Sequence, residues 1–164
     1  MHLIVPTLVL IGAVITDLRA RSVYNSYLIA ATVAVLVNSF AFFGFDSFQI
    51  AAFGFGMAVI LTMPLFTARI LGGGDAKLLM VLGLSTSYVT ILNITVWAFF
   101  WASLVGFIYA IINGSAKKLV LNTVSIARGR KVPPAEIHHL PFAVAILLAW
   151  LTHITLLQSG GMPW

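Results

Sequence analysis

Asp17 and Asp75 are the two residues of this sequence whose chemistry most favours catalysis. Two carboxyl groups held close together cannot both ionise easily, so one stays protonated as an acid while the other acts as a base. Such a pair can activate a water molecule and protonate a leaving amine, which is the chemistry of an aspartyl protease. This chemistry requires no metal and no cofactor. The chain has no cysteine, so thiolate zinc sites, iron–sulfur clusters and cysteine nucleophiles are excluded.

The other two carboxylates have simpler explanations. Asp46 falls in a short predicted external turn between two apolar segments, where a turn-forming aspartate is ordinary. Glu136 lies in a polar loop beside His138 and His139. Adjacent residues on a helix diverge by about 100 degrees, so these histidines are not expected to bind one ion. No metal site is predicted.

Each candidate aspartate also has a structural interpretation. Asp75 follows Gly72–Gly74 and precedes a helix-forming segment, which is typical of an N-cap residue. Asp17 could instead form an ion pair with Arg19 or Arg21. The glycines favour the catalytic interpretation, because without side chains they would let an extended substrate backbone approach Asp75.

The elements that must position these residues are predicted from composition. The chain has 164 residues, of which 61% are apolar and 8% charged, against about 45–50% and about 25% in a soluble domain. This excludes a soluble globular protein and predicts an all-α, polytopic membrane protein. The net charge of +5 does not indicate nucleic-acid binding, because the basic residues sit in short segments between apolar runs without interleaved aromatic residues.

The distribution of charge predicts six crossings with both termini outside. All nine Lys and Arg residues fall in three segments that share one side if the chain crosses six times, and the positive-inside rule makes that side cytoplasmic. The region 76–112 is divided into two helices near Ser85–Ser87, and an interfacial helix is predicted within 113–139. The predicted crossings are Leu3–Thr16, Tyr27–Phe45, Phe48–Ala68, Ala76 to about Tyr88, about Thr90 to Ile112, and Pro141–Leu157.

Two of these crossings are short, and each adjoins an aspartate: the first ends just before Asp17, and the fourth begins just after Asp75. Leu3–Thr16 would measure about 21 Å as a helix, against a bilayer core of about 30 Å. Asp17 is therefore expected at the inner membrane boundary, and Asp75 is drawn to the same level by the short helix that follows it. Ionisable groups at this depth are costly, which makes them functional candidates.

The motifs around both aspartates resemble those of the type IV prepilin peptidases, a family of membrane aspartyl proteases. Gly72–Leu78 resembles the family's Gly-x-Gly-Asp motif with its trailing x-Lys-Leu, and Thr16–Arg19 resembles its Asp-x-Arg segment. Asn25 matches the asparagine of the downstream Ile-Pro-Asn, although Val23 and Tyr24 replace the first two residues.

A third similarity lies near the last predicted crossing. Leu140–Phe142 resembles the family's Pro-Phe/Tyr-Gly opening of the final helix, with Ala143 where glycine is usual. The similarity runs over essentially the whole chain in order and spacing.

The resemblance implies a single peptidase domain over 1–164 that cleaves the leader of a prepilin at the cytoplasmic face of the bacterial inner membrane. Asp17 and Asp75 would be catalytic, and the surrounding motif residues that could position substrate are Gly72, Gly74, Lys77, Arg19 and Asn25. The implied partners are a prepilin with a short polar leader, the lipid bilayer and the pilus assembly machinery.

The small size of the chain implies a specialised form of the family. Larger members carry a cytosolic insertion after the first helix that is associated with N-methylation, whereas here only Asp17–Ser26 connects those helices. Cleavage without methylation is therefore expected, as in the dedicated peptidases of tight-adherence (Flp) pili.

Two other functions remain open. A small ion- or proton-coupled transporter could use Asp17 and Asp75 as a relay. Carriers usually hold such residues near the bilayer midplane and often have repeated halves, and the sequence predicts neither feature. An inactive assembly partner of a pilus machine is a third possibility, against which the presence of both aspartates argues.

Overall fold

The computed structural model of the protein describes residues 3–20, 24–44, 46–68, 70–112, 114 and 142–160. Within these ranges the regular structure is entirely α-helical, so the predicted all-α class is confirmed there. The six helices of the described ranges are α1 Ile4–Ala20, α2 Asn25–Phe43, α3 Asp46–Thr67, α4 Gly73–Gly83, α5 Tyr88–Ile112 and α6 Phe142–Gln158.

Most helix boundaries agree with the predicted pattern. The first helix is longer than the predicted crossing, because α1 continues past Thr16 to Ala20 and contains Asp17. The predicted break within 76–112 is present, because α4 ends at Gly83 and α5 begins at Tyr88. The prediction for Asp46 is wrong, since this residue begins α3 and does not lie in a turn. The preceding turn uses Gly44 at φ 60°, a conformation that glycine adopts without strain. The predicted interfacial helix within 113–139 lies, apart from Gly114, outside the described residues.

Two helices are long and apolar enough to cross a membrane by length and composition, over Phe48–Thr67 in α3 and Tyr88–Tyr109 in α5. Shorter apolar stretches occupy Asn25–Ala41 and Phe142–Gln158. Large apolar side chains also cover much of the outer surface, and Phe53 is 68% exposed. An exterior of this kind is compatible with a membrane protein. The count of six crossings stays a prediction.

The shortest of the six described helices, α4, lies at the centre of the bundle. It packs against α2, α3, α5 and α6, while α1 packs against α2 and α6. Leu78, Leu79 and Leu82 of α4 are completely buried. The 11 residues of α4 rise only about 16 Å, so the helix spans about half of a bilayer core.

Two facing glycines bring the backbones of α3 and α4 into direct contact. A Cβ atom at Gly54 would lie 2.2 Å from the carbonyl oxygens of both Gly83 and Thr86. A Cβ atom at Gly83 would lie 2.6 Å from the carbonyl oxygen of Gly54. Because no side chain fits between the helices, this contact fixes the position of α4 along α3.

Polar side chains fix α1 against its two neighbours. The Tyr27 hydroxyl of α2 donates a hydrogen bond to the Val9 carbonyl oxygen of α1. The hydroxyl fits there because Gly12 has no side chain, and a Cβ atom at this position would overlap with Tyr27. The Trp150 Nε1–H of α6 donates to Thr7 Oγ1 of α1 at 2.8 Å. These bonds hold α1 in a defined position relative to α2 and α6, and Asp17 lies on the last turns of that helix.

Candidate active site

Asp17 lies near the end of α1 and points into the bundle. Its carboxylate accepts a hydrogen bond from the backbone N–H of Ala143. Its Oδ2 atom is buried without a hydrogen-bond partner among the described residues. Burial raises the pKa of Asp17 above its ordinary value, and the Ala143 hydrogen bond opposes part of that rise.

The donor to Asp17 belongs to the first turn of α6. Ala143 is the second residue of this helix, and the first N–H groups of a helix have no partner within it. A carboxylate at this position satisfies such a donor and interacts favourably with the positive end of the helix dipole. The start of α6 therefore stabilises the ionised form of Asp17.

Asp75 is the third residue of α4, and its side chain is half-buried. The N-cap residue of α4 is Gly72, whose backbone is extended at φ −69° and ψ 149°. Asp75 is therefore not the N-cap residue, which was the structural interpretation of Asp75 in the sequence. The pKa of Asp75 is raised to about 7, mainly by burial and in smaller part by the nearby charge of Asp17. The two carboxyl groups, which lie just outside the predicted crossings, are therefore close enough for the charge of Asp17 to affect the ionisation of Asp75.

The glycines before Asp75 make room for its side chain. A Cβ atom at Gly72 would lie 2.9 Å from Asp75 Oδ2. A Cβ atom at Gly73 would instead meet Phe66 Cε2 at 3.3 Å, and Gly74 is the second residue of α4. The sequence predicted these glycines for the approach of a substrate, and the structure adds that Gly72 leaves space for the carboxylate itself.

The other motif residues lie on the same helices as the aspartates or on the neighbouring α2. Lys77 Nζ donates a hydrogen bond to Asn25 Oδ1 at 2.8 Å, which joins the first turns of α4 and α2. Arg19 is exposed in the last turn of α1, two residues after Asp17. The structure thus brings Asn25 to Lys77 and Asp17 to Asp75, so the two motifs that are far apart in sequence meet at one end of the bundle.

The sequence did not predict the role of the Ala143 amide. Pro141 signalled a helix start at this point, but nothing local indicated which side chain the free amide groups of that helix would meet. Among the described residues no group of three or more His, Asp or Glu side chains could hold a metal ion. His138, His139 and Glu136 lie outside the described residues.

The arrangement is chemically asymmetric. The Ala143 amide favours the carboxylate form of Asp17, whereas burial and the charge of Asp17 favour the protonated form of Asp75. A pair in which one group is ionised and the other protonated near neutral pH can supply a base and an acid to one reaction. This is what the hydrolysis of an amide by two carboxyl groups requires.

Comparison with known proteins agrees with this chemistry. The family model described as the type IV leader peptidase family matches residues 4–111, about two thirds of the 164-residue chain. The match includes both Asp17 and Asp75 and ends before α6. No curated protein and no solved structure matches the chain. Because the family model covers more than half of its residues, the chain belongs to the type IV leader peptidase family.

Proposed function

We propose that this protein is an aspartic endopeptidase that removes the leader peptide of a type IV, Flp-like prepilin. The single observation that carries the proposal is the meeting of Asp17 and Asp75, 58 positions apart by their residue numbers, as an interacting carboxyl pair at one end of the bundle. Family membership supplies the general activity. The polar leader and following apolar helix of a prepilin suit a site at a membrane boundary.

In the proposed mechanism Asp17 is the base and Asp75 is the acid. The Asp17 carboxylate takes a proton from a water molecule, whose oxygen attacks the carbonyl carbon of the scissile peptide bond. Protonated Asp75 donates a hydrogen bond to the carbonyl oxygen and so stabilises the negative charge that develops there. When the C–N bond breaks, a proton from the pair goes to the leaving amine, and the products are a carboxylic acid and an amine.

The proposed topology has six crossings, with the aspartates at the cytoplasmic face of the bacterial inner membrane. Its support is that five helix ends lie together at the aspartate end of the bundle. Asp17 joins the end of α1 to the start of α6, Lys77 joins the starts of α4 and α2, and Gly73 lies beside Phe66 near the end of α3. A chain that crosses the membrane in alternating directions would bring the ends of α1 and α3 and the starts of α2, α4 and α6 to the same side. The positive-inside rule makes this end cytoplasmic, because Arg19 and Lys77 lie there.

The proposed reaction ends at cleavage, without N-methylation. Only residues 21–24 separate α1 from α2, which leaves no space for an inserted domain at the position where larger family members carry one. The pilus assembly machinery is the proposed recipient of the cleaved pilin.

The proposal is tested by mass spectrometry of the amino terminus of a co-expressed prepilin. Asp17→Asn and Asp75→Asn should each abolish removal of the leader, since each replaces an ionisable group by a neutral one of the same size. Asp46→Asn is the matched control, because Asp46 begins α3 at the opposite end from the aspartate pair, and it should leave cleavage unchanged. The new amino terminus should carry no methyl group.

Two results would contradict the proposal. Full cleavage by either Asp17→Asn or Asp75→Asn would remove the mechanism. Ion flux in proteoliposomes that depends on Asp75, without any peptide hydrolysis, would instead establish the transporter function.

A further inference from the structure

An open groove runs along the outside of the bundle between α2 and α4. Its volume is about 470 Å³, within the range of about 300–1,000 Å³ that is usual for ligand pockets. Its lining comes from α2, from α3, from α4 and from Leu84, the residue that follows α4, and includes Asn25, Thr32, Phe55, Lys77, Met80 and Leu84.

The groove has one polar end. Asn25 and Lys77 are exposed and joined by a hydrogen bond of 2.8 Å, and the remaining lining is apolar except for Thr32. The Thr32 hydroxyl donates to the Leu28 carbonyl oxygen at 2.8 Å within its own helix, so it does not make the groove polar. An ammonium group has three donors, and the bond to Asn25 uses one of the three on Lys77. The groove therefore combines an apolar wall with a cation at its mouth.

The groove is separate from the carboxyl pair. Residues two positions apart on a helix point about 200 degrees away from each other, so Lys77 and Asp75 lie on opposite faces of α4. The groove-lining residues Met80, Val81 and Leu84 follow Lys77 along its face of the helix. A ligand in this groove would therefore lie behind α4 and would not occupy the catalytic position.

The length of the groove indicates the kind of ligand. From Lys77 to Leu84 the rise along α4 is about 10 Å, which is less than half of a bilayer core of about 30 Å. A transmembrane helix of a partner would need a contact surface through the whole core. An acyl chain of one leaflet ends near the midplane, and its headgroup lies at the boundary where Lys77 is found.

We propose that this groove binds an anionic phospholipid of the cytoplasmic leaflet, with an acyl chain between α2 and α4 and the phosphate at Lys77 and Asn25. Charge complementarity selects this occupant, because basic pockets between membrane helices on the cytoplasmic side suit anionic headgroups. The assignment to this leaflet rests on the topology given under the proposed function. The lipid would join the starts of α2 and α4 through the Asn25–Lys77 pair.

Native mass spectrometry of the full chain, released from nanodiscs of equal phosphatidylglycerol and phosphatidylcholine, tests the proposal. The wild-type protein should retain phosphatidylglycerol about fivefold more than phosphatidylcholine, as expected for one additional cation near the headgroup. Lys77→Gln should remove the preference, and Lys77→Arg should keep it. Thr32→Trp, which fills the groove, should reduce retention of both lipids.

The matched control for the filled groove is Val33→Trp. Val33 is 56% exposed on the same helix and does not line the groove, so this variant should retain lipid as the wild type does. Size-exclusion chromatography and thermal unfolding establish that each variant is folded. If Thr32→Trp does not fold, the comparison of Lys77→Gln with Lys77→Arg tests the proposal alone.

The proposal is overturned by equal retention of the two lipids by the wild-type protein, or by an unchanged preference in Lys77→Gln. Displacement of the lipid by a prepilin would instead assign the groove to the substrate helix. Asp75→Asn should retain lipid normally, because Asp75 lies on the other face of α4. This measurement does not depend on cleavage, so the lipid site and the peptidase function can fail separately.

Discussion

At the scale of single residues, the chemistry depends on how each carboxyl group is surrounded. Asp17 accepts an amide hydrogen bond, and Asp75 has the space left by Gly72. The two environments therefore differ in the ionisation state that they favour, which supports the two different roles proposed for these aspartates.

Gly72→Ala should reduce cleavage without unfolding the protein. The backbone of Gly72, at φ −69°, accepts alanine, but the new Cβ atom would lie 2.9 Å from Asp75 Oδ2 and push the carboxyl group away. A displacement of about 1 Å at a reacting group can cost about 100-fold in rate. The measurement is kcat for a prepilin substrate, with thermal unfolding measured in parallel.

Gly73→Ala is the matched control for this prediction. Its Cβ atom would meet only the ring of Phe66, with Cε2 at 3.3 Å, and a small ring movement relieves this contact. Equal loss of activity in the two variants would show that the space beside Asp75 is not the cause.

Cleavage should decrease as the pH rises through about 7. The acid role requires protonated Asp75, whose pKa is raised to about 7 mainly by burial. The measurement is the pH profile of kcat, and a rate that is constant from pH 6 to pH 9 would contradict the assignment of Asp75 as the acid.

Asp75 should also make the stability of the fold depend on pH. Its pKa rises from 3.8 to about 7 on folding, so the folded state binds more protons than the unfolded state between these values. The contribution to stability is complete below pH 3.8 and is lost as the pH rises to about 7. Thermal unfolding of Asp75→Asn should vary less over this interval than that of the wild type, and equal pH dependence in the two proteins would contradict the raised pKa.

At the scale of helices, the site depends on where α4 and α6 begin. The first turn of α4 carries Asp75, and the first turn of α6 donates to Asp17. Contacts far from the site hold both helices in position: α4 through the backbone contact at Gly54 and Gly83, and α6 through the hydrogen bond from Trp150 to Thr7.

Ala143→Pro should shift the acid limb of the pH–rate profile to higher pH. Proline has no N–H, so Asp17 loses the hydrogen bond that favours its charged form. No bond within α6 is lost, because Ala143 is in the first turn. Val144→Pro is the matched control, since it imposes similar backbone restrictions one residue later and leaves the Ala143 amide in place. An identical shift in both variants would assign the effect to the backbone of α6.

Gly54→Ala should destabilise the protein strongly. The new Cβ atom would lie 2.2 Å from two carbonyl oxygens, and α3 and α4 would have to separate. Overpacking of this kind costs about 1–3 kcal/mol or more. Gly56→Ala, two residues away with no atom within 4 Å of its Cβ position, should leave the melting temperature unchanged or raise it. A stable Gly54→Ala variant with full activity would contradict the close contact.

At the scale of the whole molecule, one short helix surrounded by longer ones makes the site possible. Because α4 has 11 residues and packs against four other helices, its first turn places the half-buried Asp75 near Asp17 of α1. The outer surface is apolar, as the predicted membrane location requires.

The proposed topology predicts which single cysteines are labelled from each side of the membrane. The chain has no cysteine, so Ser26→Cys at the start of α2 and Ser159→Cys after α6 can each be labelled alone. Both residues are exposed. Ser26→Cys should react only from the cytoplasmic side and Ser159→Cys only from the outside, because they lie at opposite ends of the bundle. Labelling of both from one side would contradict the proposed arrangement of crossings.

The sequence by itself determined the class of fold and the candidate chemistry. Apolar composition and the spacing of apolar runs predict helices, because these properties are local. The break between α4 and α5 was predicted from the distribution of charge, since a single helix over 76–112 would place the basic loop that follows it on the wrong side of the membrane. Glycine and aspartate motifs likewise indicated the family. Local signals gave the wrong result for Asp46, since aspartate is favourable both in a turn and at the start of a helix.

Only the tertiary structure decided how the candidate residues are used. The hydrogen bond from Ala143 to Asp17, the bond from Lys77 to Asn25 and the groove behind α4 each join residues from different helices. Such contacts depend on how the helices pack, and the pattern of residues within one segment contains no information about the neighbour that another segment will supply. For this reason two chemically identical aspartates are equivalent in the sequence and acquire different environments only in the folded bundle, where those environments favour the proposed base role for one and the proposed acid role for the other.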